Sequence, residues 1–95
     1  MTVKILIKRK IPAEKQEELL PLLVQLRKTA TAQTGYISGE TLRSIQDPEE
    51  YLVISTWQTA ENWNEWYNSL ERKQLQEQID SLLKEPTEYR VYTVG

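Results

Sequence analysis

The chain has 95 residues, a formal net charge of -2 at pH 7 and 27% charged residues. That length supports one core, and the balanced charge leaves no basic excess to hold phosphates or an anionic surface, so neither nucleic acid nor membrane is expected as a partner. With no cysteine and no histidine, the composition excludes disulfides, thiolate nucleophiles, Cys- or His-ligated metals, Ser-His-Asp catalysis and a His-ligated haem.

The opening MTVKILIKRK puts its apolar residues before its basic ones and has no signal-peptide core, and no apolar run is long enough to span a bilayer. The expected location is cytoplasmic. From Val3 to Lys10 the pattern alternates, with Val3, Ile5 and Ile7 on one face and Lys4, Leu6 and Lys8 on the other, which predicts a strand. Pro12 and Ala13 open a helix whose first turns carry Glu14, Glu17 and Glu18, complementing the N-terminal dipole. Leu19, Leu22, Leu23, Leu26 and Ala30 form its apolar stripe. Pro21 predicts either a kink or a restart with this proline in the first helical position. Gly35 reads as a left-handed C-cap residue.

Tyr36 to Ile45 and Tyr51 to Trp57 read as an antiparallel hairpin around a type I turn at Asp47-Pro48-Glu49-Glu50. Tyr51, Val53 and Trp57 share one face of the second strand and Leu52 and Ile54 the other, so both faces are expected to be covered. Thr59 caps the next helix, on which Ala60, Trp63, Tyr67 and Leu70 share a face. A further helix from about Glu71 to Lys84 carries Leu75, Ile79, Leu82 and Leu83 and stops at Pro86, and Tyr89 to Val94 closes the chain as a strand.

The order is strand, helix, strand, strand, helix pair, strand. This is the ferredoxin-like βαββαβ arrangement of the α+β class, with a four-stranded antiparallel sheet and the second helix split in two. One helical layer leaves a sheet face bare, so the expected cover is a second copy of the chain packed sheet to sheet, as a homodimer. The pattern leaves open which face meets the partner. Residues 1–95 are expected to form a single domain.

The stretch Tyr51 to Leu70 holds all three tryptophans and is where chemistry is expected. Trp63 lies on the apolar helix face as core and as a candidate binding residue. Trp66 lies about 60° around the helix from it, at the stripe's edge, with Asn62 one turn before. An indole beside a carboxamide suits a pocket wall. Arg72, Gln76 and Arg90 are candidate polar ends of that pocket. No glycine-rich phosphate loop exists among three glycines.

Gln33-Thr34-Gly35-Tyr36-Ile37-Ser38-Gly39-Glu40, Gln46-Asp47-Pro48-Glu49-Glu50-Tyr51 and Trp57-Gln58-Thr59-Ala60-Glu61 leading to Trp66 and Ser69 resemble the antibiotic biosynthesis monooxygenase family of the dimeric α+β barrel superfamily, over nearly the whole chain. The resemblance implies a face-to-face dimer with a pocket between helices and sheet in each subunit. It also implies an oxygenase that uses molecular oxygen on a phenol, anthrone or quinol type substrate without metal or organic cofactor. Asn62 and Trp66 match the catalytic Asn and Trp of the quinone-forming members. Where those enzymes place a Tyr this chain has Arg72, and Arg90 approximates their late Arg. The position of the haem-degrading members' proximal His falls near Gln76, so His-ligated haem degradation is not expected. The rival reading is a non-catalytic small-ligand-binding domain of the same fold.

Overall fold

The computed structural model describes all 95 residues. Strands β1 (Val3–Lys10), β2 (Tyr36–Arg43), β3 (Glu50–Trp57) and β4 (Glu88–Thr93) form one antiparallel sheet in the order β2-β3-β1-β4. Helices α1 (Gln16–Thr31), α2 (Ala60–Tyr67) and α3 (Leu70–Asp80) pack on one side of it. This is the expected ferredoxin-like α+β unit with its second helix split.

The register decides the two faces. Val3 pairs with Trp57, Ile5 with Ser55, Ile7 with Val53 and Arg9 with Tyr51. All of β1's residues in that phase are buried, so this is the face under the helices. Lys4, Leu6 and Lys8 lie on the other face, opposite Thr56, Ile54 and Leu52. The core divides in two, one cluster built on Trp57, Trp63 and Trp66 and a smaller one on Ile11, Leu19 and Ile79.

Several local expectations change. Pro21 neither breaks nor restarts α1, which runs unbroken through it after a single 3-10 turn at Ala13–Lys15. Pro21 and Glu17 are both exposed, so the carbonyl left without its donor meets water. Leu70 leaves the α2 stripe and is 72% exposed, because α2 ends at Tyr67 and Ser69 caps a new helix by accepting from the Arg72 amide. Helix α3 stops at Asp80, so Leu82 and Leu83 pack on the smaller cluster from the turn that follows. Its buried side is Arg72, Gln76 and Ile79, a more polar face than the expected Leu75, Ile79, Leu82 and Leu83.

The hairpin turn forms as read. The Glu50 amide donates to the Asp47 carbonyl at 2.9 Å, and the Asp47 carboxylate accepts from the Glu49 amide at 3.1 Å. Gly35 takes φ +87°, the left-handed value, three residues beyond the α1 cap at Ala32. It therefore turns the chain into β2 and does not itself close the helix.

Candidate functional site

Between α1 and the helix-side face of the sheet lies a cavity of about 390 Å³ with mostly hydrophobic walls. Its aromatic wall comes from four elements, β2, β3, α2 and β4. Tyr36 meets Trp57 edge-on at 5.4 Å, Trp57 meets Trp63 at 5.8 Å, and Trp63 meets Tyr89 at 6.2 Å. Such tilted and edge-on pairs place the positive ring edge of one residue against the negative face of the next. Trp66 completes the wall from α2, and Leu19 and Leu23 oppose it from α1.

Thr59 sets the position of α2. Its hydroxyl accepts from the Asn62 amide at 3.0 Å and donates to Asn62 Oδ1 at 2.8 Å. Trp63 and Trp66, both 4% exposed, then point from the first and second turns into the cavity. The Trp57 indole donates to Ser55 Oγ at 3.2 Å, whereas those of Trp63 and Trp66 have no acceptor within the chain.

The polar end of the cavity carries two arginines. Arg72 extends from α3 over the Tyr67 ring, 4.1 Å from its centroid, and donates to the Tyr67 carbonyl at 3.0 Å and to the Tyr89 hydroxyl. Arg9, at the end of β1's apolar series, donates to Gln76 Oε1 at 3.0 Å. Gln76 is oriented in turn by donating to Asp80 at 2.8 Å and Thr87 at 3.2 Å. Burial pushes the Arg9 guanidinium below its ordinary value and nearby Arg72 adds to that, with Tyr89 and Asp80 opposing. Burial pushes the Tyr89 hydroxyl up, against the pull of Arg72 and Arg9. Because Tyr89 accepts from Arg72, its own proton remains free for a ligand.

The expected site residues separate. Trp63, Trp66 and Arg72 line the cavity. Gln76 is buried but faces a polar groove on the outer side of Arg72 and Tyr89. Arg90 pairs with Leu6, on the sheet face away from the helices, so the expected pocket role does not fit its position. Asn62 is outside the lining, its carboxamide oxygen held by Thr59 beside Gly35. Sequence reading missed Arg9 and Tyr89. The signal for Arg9 was present, since it continues the Val3, Ile5, Ile7 phase and an ionisable residue in an apolar phase marks a site. No three acidic side chains converge as a metal site.

Residues 2–78 match the family model described as antibiotic biosynthesis monooxygenase. The chain belongs to this family. Among solved structures it is similar to a conserved protein from Methanosarcina mazei, with TM-score 0.88 and 18% identity over 97% of this chain and 91% of that one. It is also similar to SnoaB, a cofactor-independent oxygenase from Streptomyces nogalater, with TM-score 0.80 and 14% identity over 99% and 93%. At these identities the likeness carries the antibiotic biosynthesis monooxygenase fold alone. Among curated relatives, a 42.8 kDa protein in the whiE locus of Streptomyces coelicolor is 30% identical over 54 residues, 57% of this chain and 14% of that protein. Protein SchA of Streptomyces halstedii is 26% identical over 73 residues, 77% of this chain and 19% of that protein. The chain thus spans less than a fifth of the length of these two relatives.

Proposed function

We propose that the protein is a small monooxygenase that oxidises an aromatic substrate of the phenol, anthrone or quinol type with molecular oxygen, without metal or organic cofactor. The observation that carries this reading is the cavity itself, an aromatic chamber between helices and sheet with Trp66, Tyr89 and Arg72 at its walls. An anthrone methylene is acidic enough to give up a proton, and its carbanion passes one electron to oxygen. The carbon radical and superoxide combine to a peroxide anion, which takes back from water a proton equivalent to the one released, and loss of water from the resulting hydroperoxide leaves a quinone carbonyl. The protein's part is to bind the ring system, exclude water and stabilise negative charge on the substrate oxygen. Tyr89 and the free indole N–H of Trp66 supply donors for that oxygen, and Arg72 holds the Tyr89 hydroxyl in place.

The test is oxygen uptake by metal-free protein with an anthrone and hydroquinone panel. Wild type is expected to exceed the uncatalysed rate, and Trp66→Phe and Tyr89→Phe each to lower kcat/KM by about 100-fold, the scale of losing one oxyanion donor. No uptake across the panel would favour the second reading, a ligand-binding domain without catalysis. One observation favours that reading: Asn62, matched to a catalytic carboxamide of the quinone-forming members, is engaged with Thr59 outside the cavity lining.

The working form in this proposal is a cytoplasmic homodimer joined through the bare sheet face. Leu6, Leu42, Leu52, Ile54 and Tyr92 make an apolar strip there, with Leu42 45% and Tyr92 49% exposed. Lys8 with Glu50 and Glu88 forms ion pairs at its margin. Light scattering is expected to give twice the chain mass for the wild type and one chain mass for Ile54→Asp, which buries a charge against the partner. A wild-type monomer at micromolar concentration would remove the dimer.

A further inference from the structure

Two cations share the inner end of the cavity without a counter-ion. Arg9 and Arg72 are each 5% exposed and both line the chamber, yet neither takes part in any ion pair. Their partners are neutral dipoles: the Gln76 carbonyl oxygen for Arg9, and the Tyr67 carbonyl and Tyr89 hydroxyl for Arg72. Arg9 Nε is enclosed and has no partner at all. The Asp80 carboxylate reaches Arg9 only through the Gln76 amide, and Asp80 itself is exposed. The one carboxylate on the lining, Glu40, is exposed and pairs with neither arginine.

Buried charge of a single sign is costly unless something of the opposite sign meets it. A leucine at position 9 would extend the Val3, Ile5, Ile7 series with no such cost, so the guanidinium calls for a function. We propose that the cavity takes an aromatic carboxylic acid in its ionised form, with the carboxylate at the Arg9 and Arg72 end and the ring system against the tryptophans. The planar guanidinium fork matches a carboxylate, and the apolar remainder of the chamber suits an arene and disfavours a phosphate, which needs donors on every side. Gln76 acts as a positioning residue, holding Arg9 from behind with its own amide fixed by Asp80 and Thr87. The inference rests on the aromatic-substrate reading for the ring and adds the charge.

The test is a fluorescence titration of the three tryptophans at pH 7 with 2-naphthoate and, separately, with 2-naphthamide, its neutral isostere. Wild type is expected to bind the acid at least tenfold more tightly than the amide, the scale of charge-assisted hydrogen bonding. Arg9→Met and Arg72→Met are each expected to remove that preference while amide affinity stays within about threefold. Ligand-free Arg9→Met is expected to melt no lower than wild type, because it loses a buried charge with no counter-ion. Equal wild-type affinity for acid and amide, binding of neither, or a preference that survives both substitutions overturns the proposal. The wild-type comparison holds whether or not a variant folds. Acid preference without oxygen uptake would sink the monooxygenase reading and leave this one standing, and uptake without acid preference would do the reverse.

Discussion

Trp57→Ala is expected to cost the fold about 3–5 kcal/mol, the range for truncating a large buried aromatic side chain. Trp57 is 1% exposed and is the largest fully buried side chain. It joins Tyr36 on one side to Trp63 on the other, at 5.4 and 5.8 Å, and each such pair adds about 0.5–1.5 kcal/mol beyond area burial. Its indole also holds Ser55 Oγ, which is buried on the same face and would lose that bond. A domain of this size has a total stability of about 5–14 kcal/mol, so the variant forfeits about a fifth of it or more. Urea unfolding followed by circular dichroism reads the loss, with Leu20→Ala as control. Leu20 is 58% exposed, and its truncation should shift stability by no more than about 0.5 kcal/mol. A Trp57→Ala loss below about 1 kcal/mol would mean that the aromatic wall is not the keystone of the larger core cluster.

Gly35→Ala is expected to cost about 2–5 kcal/mol, by two separable routes. The left-handed backbone at φ +87° costs an L-residue about 1–2 kcal/mol. A Cβ there would also lie 2.3 Å from Asn62 Oδ1, 2.4 Å from its Cγ and 2.6 Å from its Cβ, an overlap costing about 1–3 kcal/mol. Asn62→Ala removes the first two atoms and leaves the third, so the double variant should recover part of the loss, with a coupling of about 0.5–3 kcal/mol. Thermal melts of the two single variants and the double variant decide it. Strict additivity would leave only the backbone term and would rule out tight packing between this turn and α2. The result bears on the site, because the Gly35 carbonyl also accepts from the Gln58 amide at 2.7 Å. That turn therefore fixes where α2 begins and where Trp63 and Trp66 stand.

Much of the architecture was legible locally. Alternation over Val3–Lys10, the capping threonine at position 59 and the Asp47-Pro48 turn each express short-range sterics or hydrogen bonding and occur as read, and Gly35 takes the expected left-handed conformation although Ala32, not Gly35, caps the helix. The Leu70 expectation failed because it extended a helical period past a local cap, and the Pro21 expectation failed the opposite way, by interrupting a helix that runs on. Ser69 offers a better cap than continued helix, and the exposure of Glu17 makes a proline tolerable inside α1.

The site was legible in its tryptophans and obscured in its polar groups. In Tyr89-Arg90-Val91-Tyr92-Thr93 both phases carry residues that suit a covered face, so the local pattern gives no preference between Tyr89 and Arg90. Pairing of Ile7 with Tyr89 and Leu6 with Arg90 sends the tyrosine under the helices and the arginine to the bare face. Likewise Asn62 and Trp66 are one turn apart on α2, yet Thr59 takes the first while the cavity takes the second.

Sequence alone determined the elements, their order and the residues able to line an aromatic chamber, because period, capping and turn chemistry act within a few residues. Tertiary structure alone decided which strand phase lies under the helices, and so which charged groups are buried together. That choice depends on register between strands far apart in the chain and on the helices packed above them, and a one-residue change of phase reverses it.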